Sequence, residues 1–116
     1  RVSIESLNGA MGMPGDPWLP PDATETVGNN VDAYADRDGD NVPDPGSRPV
    51  AAAGEDFFFQ LDLSQDPLTN QAASVTNLFF WNNRIHDWFY RLGFDEAAFL
   101  AGYGAAAASQ TFCRKR

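Results

Sequence analysis

The chain has few of the residues that carry most recognisable chemistry. It holds one cysteine, Cys113, in 116 residues, so no disulfide can close within it. It holds one histidine, His86. A zinc site takes three or four ligands, and one histidine beside one aspartate, Asp87, falls short of that. No run of 18 apolar residues occurs, which argues against a transmembrane helix. Cationic side chains are also scarce: eight Lys and Arg stand against sixteen Asp and Glu, a net charge of −8. The single basic cluster, Arg114-Lys115-Arg116, is too short for a nucleic-acid footprint. No secretory leader opens the chain, and it begins with Arg1 rather than Met. The expectation is a processed or cut-out segment, with any targeting signal outside it.

Apolar material is plentiful. Hydrophobic residues make up 43%, with nine Phe, three Trp and three Tyr, enough for a core. They are unevenly spread. Residues 1–56 are rich in Gly, Pro, Asp and Asn, whereas most large apolar residues fall between Phe57 and Phe99. A free-standing domain spreads its core-forming segments more evenly, so the chain reads as one small domain or a piece of a larger one. Charge is polarised too. Residues 1–70 carry thirteen of the sixteen acids and three arginines, and residues 71–116 carry five basic residues and three acids. An acidic surface suits solubility and divalent-cation binding.

Local patterns predict few regular elements. Residues 2–7 alternate apolar and polar, as a short strand would. Residues 9–30 are turn-rich and should run as irregular surface chain, with Trp18 anchoring it to a core. A second short strand is expected over 30–35 and a third over 57–63, where Phe57, Phe59, Leu61 and Leu63 share a face and Asp66-Pro67 ends the run. A helix is expected from near Asn70 to Leu92, with Gly93 just past its end. Val75, Leu78, Phe79, Asn82, Ile85, His86, Phe89 and Leu92 make one stripe on it, and Phe80, Trp81, Trp88 and Tyr90 cover other faces. A helix apolar nearly all round should be buried between layers. Asp95 to Phe99 reads as the start of a second short helix.

The loop at Asp36–Asp44, DRDGDNVPD, places Asp36, Asp38, Asp40 and Asp44 at positions 1, 3, 5 and 9. Alternate carboxylates on a tight loop can aim oxygens at one point, and a hard cation such as Ca²⁺ offsets their repulsion. Gly39 permits the turn, Pro43 stiffens the exit, and Val42 adds a backbone carbonyl. An EF-hand is excluded, because Asn41 stands at the sixth position instead of Gly and Ser47 at the twelfth instead of Glu. The loop is similar to the calcium loops of thrombospondin type 3 repeats. The alternative is a solvated acidic turn held by Asx-type bonds. On the helix, Asn82 and His86 are four residues apart, as are Asn83 and Asp87. A metal or catalytic histidine is one reading, and a buried polar network tying the helix to neighbouring chain is the favoured one.

Three stretches carry a resemblance. VTNLFFWNNRIHDWFYRLGFDEAA, from Val75, resembles a signature segment of the fungalysin family of secreted zinc metallopeptidases. VGNNVDAYADRDGDNVPD at Val27–Asp44 is similar to the segment upstream of it, and FQLDLSQDPLTNQAASVTNLF to the linker between them. The resemblance covers about residues 1–98 and leaves 99–116 as a divergent tail, which reads as a truncated, frameshifted or misassembled end. It implies an α+β fold: a fragment of the N-terminal lobe of a thermolysin-like peptidase, with an irregular, strand-containing first half and then one long buried helix over about 70–92. It implies a secreted zymogen with an inhibitory propeptide. Its Zn²⁺ would be held by an H-E-x-x-H helix and a later Glu, with the motif Glu as general base on the zinc-bound water. No H-E-x-x-H occurs here, so no catalytic residue carries over, and His86 matches no zinc ligand.

Three functions follow. The first is part of a secreted zinc metalloendopeptidase, inactive by itself, whose partners are the remainder of the peptidase domain, the propeptide and protein substrates, with neither nucleic acid nor membrane. The second is a stand-alone calcium-binding interaction module, which requires every aromatic of the helix to be covered by the chain's own residues. The third is a regulator that docks to a full-length peptidase.

Overall fold

Twenty-one residues, Gln71–Arg91, form α1, the one helix among the described residues. The computed structural model describes residues 17–20, 23–52 and 57–95. The segment holds neither Gly nor Pro, so nothing interrupts the helical ladder. Its start is built by turns: Thr69, Asn70 and Gln71 donate their N–H groups to Asp66, Pro67 and Leu68 carbonyls at 2.9, 3.1 and 3.3 Å. Asn70 flanks the helix but makes no side-chain cap. Its amide instead exchanges two bonds with the backbone of Asp62, accepting from its N–H at 2.9 Å and donating to its carbonyl at 2.8 Å. The preceding segment is thereby bolted to the helix entrance.

The other end is a Schellman stop. Gly93 takes φ +92°, its N–H reaches the Tyr90 carbonyl at 3.0 Å, and the Phe94 N–H reaches the Phe89 carbonyl at 3.1 Å. The Phe89 and Phe94 rings meet edge-to-face at 5.5 Å, the hydrophobic contact that accompanies this motif. Arg91 in the last turn suits the negative end of the helix dipole.

The core lies on one side of α1. Trp18, Leu19, Ala33, Phe57, Val75 and Phe79 are buried together, with Ala23, Val31, Ala51, Phe59 and Phe80 packed at their edge. Phe79 has no exposed surface. Gly28 lies so close to the loop carrying Trp18 that a Cβ there would stand 1.9 Å from the Trp18 carbonyl oxygen and 3.0 Å from the Phe79 ring. Thr26, fully buried, donates its hydroxyl to the Ala33 carbonyl at 2.8 Å, and Ala33 returns its N–H to the Thr26 carbonyl at 2.9 Å. Arg48 clamps Asp32 through two bonds of 2.8 Å and lies over the Tyr34 ring.

Three sequence expectations need correction. Residues 57–63 run extended into a turn and form no strand; Phe57 is buried, but Leu61 and Leu63 are exposed. A strand needs a partner ladder, and the Asp62 amide is already spent on the Asn70 side chain. The strand expected over 30–35 reduces to one isolated antiparallel bridge, Val27 with Asp32; Glu25 with Val50 makes another. The tight return at Gly28, whose N–H bonds the Val31 carbonyl at 2.8 Å, leaves no length for a longer ladder. The buried stripe of α1 is also rotated. It contains Val75, Thr76, Phe79, Asn83 and Asp87, while Leu78, Ile85, Phe89 and Leu92 are exposed. The described segments all approach α1 from one side, so it is half-covered instead of fully buried. The strand expected over 2–7 and the helix beginning at Asp95 fall mainly or wholly outside the described residues, as does Cys113.

Candidate functional site

The acidic loop folds around Asp36. One of its carboxylate oxygens accepts the N–H groups of Gly39 and Asp40 at 2.7 and 3.2 Å, and the other accepts that of Asn41 at 2.9 Å. Gly39 and Asn41 take positive φ, +74° and +65°, conformations that Gly and Asn adopt with little strain. Asp38 and Asp40 each accept an N–H two residues on, from Asp40 at 3.3 Å and Val42 at 2.8 Å. The base of the loop is closed by the Asp44 N–H on the Ala35 carbonyl at 3.0 Å and the Arg37 N–H on the Asp44 carboxylate at 3.2 Å.

This wrapping brings carboxylate oxygens of Asp36, Asp38 and Asp40 within 4.8 Å of one another. Asp44 stands apart, its carboxylate facing the Arg37 guanidinium at 3.9 Å. Val42 contributes its N–H to the loop, and its side chain is exposed. The structure therefore gathers three of the four aspartates expected from the sequence. Partial desolvation disfavours the Asp36 charge, but the N–H bonds from Asn41, Gly39 and Asp40 outweigh it and hold its carboxyl below the ordinary value of 3.8. All three donors are hard oxygens, the chemistry of Ca²⁺ and not of a nitrogen- and sulfur-seeking zinc ion.

His86 sits at no such cluster. Its Nδ1 lies 3.3 Å from one oxygen of Asp87, and its ring stacks on Tyr90. The other Asp87 oxygen accepts the Trp18 indole N–H at 2.8 Å in a buried bond spanning 69 positions of sequence. Asn82 and Asn83 donate back to the Leu78 and Phe79 carbonyls, both at 2.9 Å, and not to His86 and Asp87. A polar link from helix to loop is thus present, made by Asp87 and Trp18. Sequence reasoning placed Trp18 in a core but missed its partner. The available signal was an aspartate set in an aromatic helix, since a buried indole N–H needs an acceptor. The Asp36–Asp38–Asp40 group is the one set of three metal-ligating side chains among the described residues, so the described residues do not fit a zinc centre.

Comparison with known proteins accounts for both features. The Fungalysin metallopeptidase (M36) family matches residues 6–100. Extracellular metalloproteinase 1 of Trichophyton equinum is 40% identical over 78 residues, 65% of this chain and 12% of that protein. Extracellular metalloproteinase MEP of Fusarium vanettenii is 37% identical over 76 residues, with the same shares. The chain thus spans about an eighth of the length of the curated relatives it matches. No solved structure matches it significantly. No helix among the described residues is long and apolar enough to cross a membrane. With the acidic loop and the aromatic helix both inside the matched span, the chain belongs to the fungalysin metallopeptidase family.

Proposed function

We propose that this chain is part of the peptidase domain of an extracellular zinc metalloendopeptidase that cleaves protein substrates, and that it supplies an α+β portion of the N-terminal lobe but none of the catalytic groups. The family match over residues 6–100 carries this reading. The absence of H-E-x-x-H from the sequence makes the chain inactive alone. Trp81, Trp88 and Phe89, all exposed on α1, weigh against a stand-alone module, which would cover its own aromatics. The test is to read the encoding locus beyond Arg116. An H-E-x-x-H followed by a Glu supports the reading, and its absence from every frame overturns it. The chain incubated with Zn²⁺ and casein is expected to release no peptides; cleavage that a chelator stops would place a catalytic centre in this chain after all.

The convergence of Asp36, Asp38 and Asp40 within 4.8 Å supports a second element of the proposal: the loop holds a structural Ca²⁺, completed by Asp44 and the Val42 carbonyl. Calorimetric titration with Ca²⁺ is expected to show one site that Asp40→Asn weakens. Heat unchanged by that substitution would leave the loop as a self-bonded acidic turn.

A further inference from the structure

Helix α1 has two faces that both look internal. Projected at about 100° per residue, Leu78, Trp81, Ile85, Trp88, Phe89 and Leu92 fall within an arc of about 100°, the width of a core-facing stripe. Each is 45% exposed or more. The opposite arc already packs on Trp18, Phe57 and their neighbours. Where the two arcs meet, Trp18, Trp81, Ile85 and Trp88 line a groove of about 340 Å³, with Arg84 and Arg91 also lining it. Asp87, the one acid there, has its two oxygens engaged by Trp18 and His86. Each guanidinium carries five donors, so pairing within the chain leaves some for a newcomer. A basic rim beside an apolar seam in a chain of net charge −8 selects an occupant with apolar side chains flanked by carboxylates.

We infer that this face is the seat of such an acid-flanked apolar segment from the remainder of the peptidase domain. The inference rests on the peptidase reading above. The length of the relatives supports it, because the chain spans 12% of them and the rest is available to cover the stripe. A second copy fits less well. Two-fold pairing through this face would bring its arginines toward their own equivalents, and like charges oppose across an interface.

The test is a tryptophan-emission titration of the full 116-residue chain with overlapping peptides. These tile Extracellular metalloproteinase 1 of Trichophyton rubrum outside its matched segment. A small set is expected to bind, each combining apolar residues with Asp or Glu. The double variant Arg84→Glu/Arg91→Glu is expected to lose about tenfold in affinity, and Ile85→Lys a comparable amount. Ile85 is substantially exposed, so its substitution leaves the fold in place, which circular dichroism checks for both variants. Failure of every peptide to bind, or equal binding to the variants, overturns the inference. So does a dimer in light scattering that Ile85→Lys dissolves, which would make a second copy the occupant. The locus and the titration fail independently: the first tests the zinc motif, the second the seat.

Discussion

The two faces of α1 differ opposite to what an isolated domain would require. The covered face carries Thr76, Asn83 and Asp87 among its buried residues, and the open face carries Leu78, Trp81, Ile85, Trp88, Phe89 and Leu92. Polar groups are tolerated inside because local donors and acceptors reach them: Trp18 for Asp87, the Phe79 carbonyl for Asn83. Large apolar groups outside have no such local remedy; only another layer removes them from water. A helix built this way belongs to a stack, and the described residues supply one side of it.

Four substitutions or conditions sharpen this contrast. Phe79→Ala on the covered face is expected to cost about 3–5 kcal/mol, because it empties a site with no exposed surface; urea unfolding measures it, and a loss near zero would show that this face is not a core. Asp87→Ala removes the acceptor of the buried Trp18 N–H and is expected to cost about 2–3 kcal/mol in the same assay. Ile85→Lys with Trp88→Lys on the open face is expected to change stability by no more than about 0.5 kcal/mol, while reducing binding of a hydrophobic dye. A large destabilisation would mean that the open face is already packed.

The smallest effect concerns the acidic loop. The carboxyl of Asp36 is held below its ordinary 3.8, so its contribution is present above that pH and is lost as pH falls below it through the lowered value. The amide protons of Gly39, Asp40 and Asn41 are expected to exchange faster on that descent, and amide exchange followed by NMR reads it directly. Protection that is flat through the same range would detach these donors from the Asp36 charge.

What the sequence made legible follows from local physics. The limits of α1 are set by signals within a few residues, the Pro67 turn at one end and Gly93 at the other, and both lie within one residue of the observed helix. The loop was equally readable, since Asx turns involve neighbours only. The face buried by α1 was not. Periodicity counts apolar positions, and here apolar positions occupy more than one face, so the choice rested on the partner Trp18, which lies 69 residues away. Residues 57–63 fail as a strand for a related reason: alternation describes a face, and a ladder needs a second chain segment that pattern alone does not supply.

Gln71, the first residue of α1, joins the two halves of the molecule. Its side-chain oxygen accepts from the Arg37 guanidinium, and its amide nitrogen donates to the Ser47 carbonyl at 3.4 Å. One neutral side chain thus pins both ends of the acidic loop to the helix entrance. The stretch from 37 to 47 is a closed ring in the native state, and its closure entropy is settled by folding and not by whatever later enters it. The loop and the first helical turn should consequently open as one cooperative unit, so that anything that steadies the aspartates also slows fraying at Gln71.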